Sequence, residues 1–530
     1  MFSYRLSTVS RIVLTLPVII VILFLQQSFL LSNDKSLTSG SSASYSSKAE
    51  SSIVPPSCQL CSPDDLLCDK YGSANLARSR AYEGPNARLR RVLRKAHSGQ
   101  PIKIGILGGS VSAGHGVPEQ SDVWHSIYAQ WWRDTFFAND RYRGLSSGNS
   151  SSPGSKVEMV TLQDGAVRAI ESDYFQTCFS EHIDEDVDLV VVELAINDRR
   201  FERLAEAYEY LLRALLILPN KPAVINLQTM ALSFGQITMG GDLELAVAMY
   251  YDTPVINIRN LLLPHIFRAS QPSSLLNHYF VQYPNGEPDL RHMGVNGHHV
   301  MGDLMVDFTK RVWCDEMRLI EEEERRRLEK MKQHGVSDGQ EKLVLGKSDW
   351  VSKDFGIPGT EVLEDIPRLR LFQKFDNESQ AIPVQPMCSS TTSKKHPLTP
   401  LKMDGWKKWT APHSASKKTY YRSTTPKSTI SFAVNVGPVG RVRLTYLRSK
   451  TFGLGSSWCW VDVDGVADSE KKYGKRLDGW WNTDGINAGS TTTIAEGIPA
   501  GSHVLACRLL EETADPGKGT DFRIIALDST

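Results

Sequence analysis

At 530 residues the chain is too long for one hydrophobic core, so two or three domains with connecting segments are expected. Its 60 lysines and arginines balance 60 aspartates and glutamates, which gives no reason to expect nucleic acid or a strongly acidic partner. Apolar content of 41% and aromatic content of 9% are ordinary for a globular protein.

Ile12 to Asn33 carries no charge and is dense in Ile, Val, Leu and Phe. About 20 such residues suffice to cross a bilayer. Arg5 and Arg11 precede the run and favour a cytoplasmic tail over residues 1–11. The expectation is a transmembrane signal anchor over 12–32, in a single-pass type II protein of the secretory pathway, at the Golgi or cell surface. A cleaved signal peptide and a secreted chain are the alternative. Residues 33–56 are Ser-rich and suit a flexible stem.

Beyond residue 33 the chain is then lumenal or extracellular, where disulfides are the default for its eight cysteines. Cys459 and Cys507, the C-terminal two, are expected to pair. Cys58-Gln-Leu-Cys61 has no second pair at zinc spacing, so no metal is expected. Asn149-Ser-Ser and Asn377-Glu-Ser are N-glycosylation sequons.

Residues 57–95 read as a cysteine-bearing lead-in, and a globular domain follows over 96–318. Strands are expected at Lys103–Gly108, Val157–Leu162, Val187–Leu194, Ala223–Leu227 and Pro254–Ile258. Helices are expected at Asp122–Phe137, Phe201–Ile217, Leu243–Tyr251 and His298–Phe308. This alternation predicts a doubly wound α/β domain with a mostly parallel sheet, whose ligands collect beyond the carboxyl ends of the strands. Residues 319–395 read as a charged helix and linker. Over 396–530, short apolar runs separated by Gly, Pro, Asn and Asp predict an antiparallel β-sandwich.

Ile104-Gly-Ile-Leu-Gly-Gly-Ser-Val-Ser-Ala-Gly114 ends a strand in small residues and exposes Ser110 at the sheet edge. A serine needs a base. Asp289-Leu-Arg-His292, on a loop entering the last helix of the domain, offers an imidazole with a carboxylate to orient it. Ser112 rivals Ser110, and His298 and His299 rival His292, but neither histidine has the preceding carboxylate. Asn197 stands just past the third strand, and its amide suits an oxyanion or, alternatively, a helix N-cap. Asp303 and Asp307 read as solvent-facing helix residues. Of the C-terminal tryptophans, the Trp480-Trp481 pair is a candidate for stacking on sugar rings.

Gly108-Gly109-Ser110-Val-Ser-Ala-Gly114, Ala195-Ile-Asn197-Asp198 and Asp289-Leu-Arg-His292, followed by Gly297-His298, occur in this order. Together they resemble the SGNH (GDSL-type) hydrolase superfamily. The layout also looks like fungal capsule-associated membrane proteins with an SGNH domain. The resemblance implies a flavodoxin-like three-layer sandwich and a Ser-His-Asp triad of Ser110, His292 and Asp289. It further implies an oxyanion hole from the backbone N–H of Ser110, the backbone N–H of Ala169 and the side chain of Asn197, with no cofactor. Gly109 stands where the family has aspartate, and Ala195 where it has glycine.

The expected function is a membrane-anchored lumenal serine esterase removing acyl groups, acetyl foremost, from a glycan, the glycan following from location, the aromatic-rich β domain and family precedent. One alternative is a polysaccharide O-acyltransferase using the same residues. Plant Golgi enzymes of that kind carry Trp-Cys after the histidine, where this chain has Met293-Gly294. A second alternative is an inactive glycan-binding scaffold.

Overall fold

Strands that are apolar on both faces must be covered on both sides, and the first domain is built around one six-stranded sheet. Its strands are β1 (Arg80–Tyr82), β2 (Ile102–Gly108), β3 (Val160–Asp164), β4 (Leu189–Glu193), β5 (Ala223–Gln228) and β6 (Val255–Asn257). They lie in the order β1-β6-β5-β4-β2-β3, parallel throughout except for β1 against β6. Ile104, Ile106 and Val191 pack with the helices Ala87–His97, Trp124–Phe136, Ile258–Arg268 and the buried part of Val295–His334. Leu107, Val190 and Val192 pack on the other face with Ser172–Cys178, Glu202–Leu216 and Gly240–Tyr250.

This is a computed structural model, and it describes residues 58, 60–62, 65–138, 158–334, 366–376, 386–412 and 418–530. The expected tail, anchor over 12–32, stem and both sequons, at Asn149 and Asn377, lie outside the described residues. Among the described residues no helix is long and apolar enough to cross a membrane.

Several elements differ from the sequence expectation. The stretch read as a lead-in supplies the antiparallel edge strand β1 and a helix that buries Leu89, Val92, Leu93 and Ala96. The expected helix at His298 and the charged run after it form one helix, Val295–His334. Asp289 to His292 is not a loop: β7 (Phe280–Gln282) and β8 (Pro288–Met293) form a hairpin. Asn285-Gly286, with Gly286 at φ 82°, is the turn signal behind that hairpin. Asp307 is buried and pairs with Arg80 at 3.2 Å, and Asp303 accepts hydrogen bonds from Tyr71 and Lys70.

The second domain consists of β9 (Met387–Ser390), β10 (Pro400–Asp404), β11 (Lys407–Thr410), β12 (Thr419–Ser423), β13 (Thr429–Val436), β14 (Val442–Arg448), β15 (Ser456–Asp462), β16 (Gly474–Asp478), β17 (Ala488–Ala495), β18 (Gly501–Leu509) and β19 (Phe522–Ser529). They form two antiparallel sheets, β10-β13-β18-β15-β16 and β11-β12-β19-β14-β17, with β9 added on β19. Phe432, Leu444, Tyr446, Leu505 and Ile524 meet between them. Trp481 is buried, with Arg199 and Arg448 guanidinium carbons each 4.7 Å from its ring centre. Trp480 is half-buried against Tyr420, Leu447 and Leu454, so the pair is not the exposed sugar platform that the sequence suggested.

The expected Cys459–Cys507 disulfide forms between directly opposed residues of β15 and β18. Cys58–Cys314, Cys61–Cys68 and Cys178–Cys388 account for the remaining cysteines, the last one tying the α/β domain to β9. Between the domains, Arg443 on β14 is buried, bonded to Asp528 at 2.7 Å and to Thr177 of the α/β domain at 2.6 Å.

Candidate active site

Strand β2 ends at Gly108, and the chain coils into a tight turn: Ala113 N–H donates to Gly109 O at 3.1 Å and His115 N–H to Ser110 O at 3.0 Å. Gly114 takes φ 63°, a conformation that favours glycine. The turn leaves Ser110 partly exposed at the carboxyl edge of the sheet and buries Ser112 completely. Ser112 Oγ donates to Glu193 at 2.8 Å and accepts from Trp124 Nε1 at 3.2 Å, so it anchors the turn from below. Burial pushes the Glu193 carboxyl up to about 7, against hydrogen bonds from Ser112 and Thr229.

Ser110 Oγ lies 2.8 Å from His292 Nε2, and His292 Nδ1 lies 2.6 Å from Asp289 Oδ2. Asp289 Oδ1 also accepts the backbone N–H groups of Arg291 and His292, both at 2.7 Å. Burial alone would raise the Asp289 pKa, but its bonds to His292 and Arg291 outweigh that and hold it below the usual range. The ionised carboxylate can only accept, so Nδ1 carries the proton and Nε2 is free to take one from Ser110. Leu290, between them, sits at φ 58°, a strained conformation held by Leu232 N–H donating to its carbonyl at 2.6 Å. His298 and His299 are engaged elsewhere, with the Trp124 amide and with Asp122.

The residues expected to supply the oxyanion hole, Ser110, Ala169 and Asn197, line one cavity. Ala169 has φ 62°, and its carbonyl accepts the Gly489 amide of the second domain at 2.7 Å. Asn197 Nδ2 donates one proton to Ile170 O at 2.8 Å, leaving the second available. Asn197 is not a helix cap, because the following helix begins at Glu202 with Phe201 at its N-cap. Its amide fills the space beside Gly109, where a Cβ would lie 2.1 Å from Asn197 Oδ1. Ala195 is matched by Gly241, whose Cβ would come 2.6 Å from the Ala195 methyl.

Two neighbours escaped the sequence reading. The His115 ring centre lies 4.2 Å from that of His292, and Arg168 Nη1 donates to His115 Nδ1 at 2.8 Å. Burial, then the His292 and Arg168 charges, push His115 down to about 4. Their only sequence signal is position, His115 within the Ser110 turn and Arg168 beside Ala169. Ligand atoms of His115, Asp289 and His292 lie within 4.8 Å of one another, a spacing that could suit a metal. The hydrogen bonds just described already engage these groups.

No family model and no curated protein matches the chain. A solved two-domain esterase (CEX) active on acetylated mannans aligns with TM-score 0.54 and 16% identity, over 86% of this chain and 98% of that one. Its form co-crystallized with mannopentaose gives TM-score 0.53 and 16% identity, over 86% and 97%. The chain has the fold of that two-domain esterase. At this fold level the resemblance read from the sequence holds: an α/β domain followed by an antiparallel β domain.

Both domains line one cavity of about 850 Å³ that opens on Ser110 and His292. The α/β domain contributes Asn197, Phe234 and Arg291, and the β domain contributes Lys418, Thr483 and Asn487.

Proposed function

We propose that the protein is a serine esterase that removes acyl groups, acetyl first among them, from a glycan. The observation that carries this is the hydrogen-bonded series from Ser110 through His292 to Asp289, opening on the shared cavity. Ser110 Oγ attacks the ester carbonyl carbon while His292 Nε2 takes its proton. The N–H groups of Ser110 and Ala169 and the Asn197 amide stabilise the oxyanion. Collapse expels the sugar alkoxide, which takes the proton from His292. Water, deprotonated by His292, then releases the acyl group as its acid and restores Ser110.

The glycan part rests on the esterase of like fold, which acts on acetylated mannans, and on the cavity wall that the β domain supplies. We further propose that residues 12–32 anchor the chain as a type II membrane protein, with the site on the lumenal side of the secretory pathway. Pairing of all eight cysteines supports an oxidising compartment.

The test is hydrolysis of p-nitrophenyl acetate and acetate release from acetylated oligosaccharides, with Ser110→Ala as control. The control is expected to lose on the order of 10⁶-fold in kcat. Ester turnover that survives in Ser110→Ala, or none in the unaltered protein, would overturn the proposal. Acyl transfer to added oligosaccharide in place of acid release would favour the acyltransferase.

A further inference from the structure

The charge on the cavity wall is one-sided. Five cationic side chains line it, Arg168, Arg199, Arg200, Arg291 and Lys418, against the acids Glu171, Asp198 and Asp484. The acids are already engaged. Glu171 binds Arg199 at 2.6 Å, Asp484 binds Lys450 at 2.6 Å, and the buried Asp198 accepts the Ser172 amide at 2.7 Å.

Arg168, Arg200, Arg291 and Lys418 have no carboxylate at ion-pair distance among the described residues. Arg168 uses two of its five N–H donors, on His115 and the Ala113 carbonyl, and Arg291 lies on Phe234 with a 3.3 Å contact to Ser233. Burial lowers the basicity of both Arg168 and Lys418, and the Arg168 charge lowers Lys418 further. Like charges kept together in a half-buried wall are unfavourable until an anion joins them. Arg168 also touches His115, whose ring lies against His292, so that anion would sit beside the reacting ester.

Building on the esterase reading, we infer that the substrate is an acidic glycan, its carboxylate bound by Arg168 and Lys418 beside the acylated hydroxyl. A uronic acid on the acylated sugar or its neighbour has this chemistry, and the planar guanidinium suits a carboxylate through two parallel hydrogen bonds. Arg200 and Arg291 extend the same field along the cavity.

The experiment compares acetylated glucuronoxylan with the same polymer after its carboxyls are reduced to alcohols, and with the reduced polymer after sulfation. For the uronate polymer kcat/KM is expected to be about tenfold higher than for the reduced one, carried by KM. Added salt should shrink the difference, as should Lys418→Gln and Arg168→Gln. Binding of the Ser110→Ala protein to each polymer gives a readout that needs no turnover. Equal rates and equal binding for charged and reduced polymers, with Ser110-dependent turnover intact, would overturn the acidic substrate and leave the esterase. Equal use of the sulfated polymer would overturn the carboxylate. Preferential binding of the uronate polymer without any turnover would support the acidic ligand and overturn the esterase reading.

Discussion

Gly109 and Asn197 share one space: a Cβ at position 109 would lie 2.1 Å from Asn197 Oδ1 and 2.5 Å from its Cγ. The glycine that departs from the SGNH pattern is therefore what lets the Asn197 amide lie against the Ser110 turn. Gly109→Ala and Gly109→Asp are expected to displace that amide. Loss of one oxyanion donor costs about 10²–10³ in kcat, with KM little changed. Steady-state kinetics with a thermal melt as a folding control checks this, and full activity in Gly109→Ala would remove Asn197 from the oxyanion hole.

Arg443 ties the two domains, with 2.7 Å to Asp528 and 2.6 Å to Thr177. Burial pushes Asp528 up, and the Arg443 charge and hydrogen bond oppose that shift. Arg443→Ala leaves a buried carboxylate without its cation, a loss of about 3–5 kcal/mol in urea unfolding. Pairing Arg443→Met with Asp528→Asn should recover much of it, since neither charge is then stranded. A loss below about 1 kcal/mol in the single variant would mean the interface does not depend on this pair.

Glu193, under the Ser110 turn, is raised from 4.5 to about 7 by burial. A folded pKa above the unfolded one gives stability that is full below about pH 4.5 and is lost as pH rises through about 7. Glu193→Gln removes that dependence. Measured against the unaltered protein, the variant should gain on the order of 3 kcal/mol in relative stability between pH 4.5 and pH 8. Parallel curves for the two proteins across that window would contradict a protonated Glu193.

Local sequence carried Ser110, Asn197, Asp289 and His292, because each stands in a short pattern at or near a strand. The structure brings Ser110, His292 and Asp289 into one hydrogen-bonded series and sets Asn197 beside Gly109. What could not be read depends on contacts between distant segments. Strand β1 has three residues and exists only as an edge paired to β6. Trp481 looked exposed because nothing in its own segment announces Arg199 and Arg448. The grip of Gly489 on Ala169, 320 residues apart by their numbers, is likewise invisible in either segment alone.

The central claim is that Ser110 is an activated nucleophile, and a fluorophosphonate probe tests it most directly. Tryptic mass spectrometry of the treated protein should show one stoichiometric adduct on Ser110, absent in His292→Ala and accompanied by loss of acetate release. Labelling of another residue with Ser110 unmodified, or full acetate release from a Ser110→Ala protein, would contradict the account.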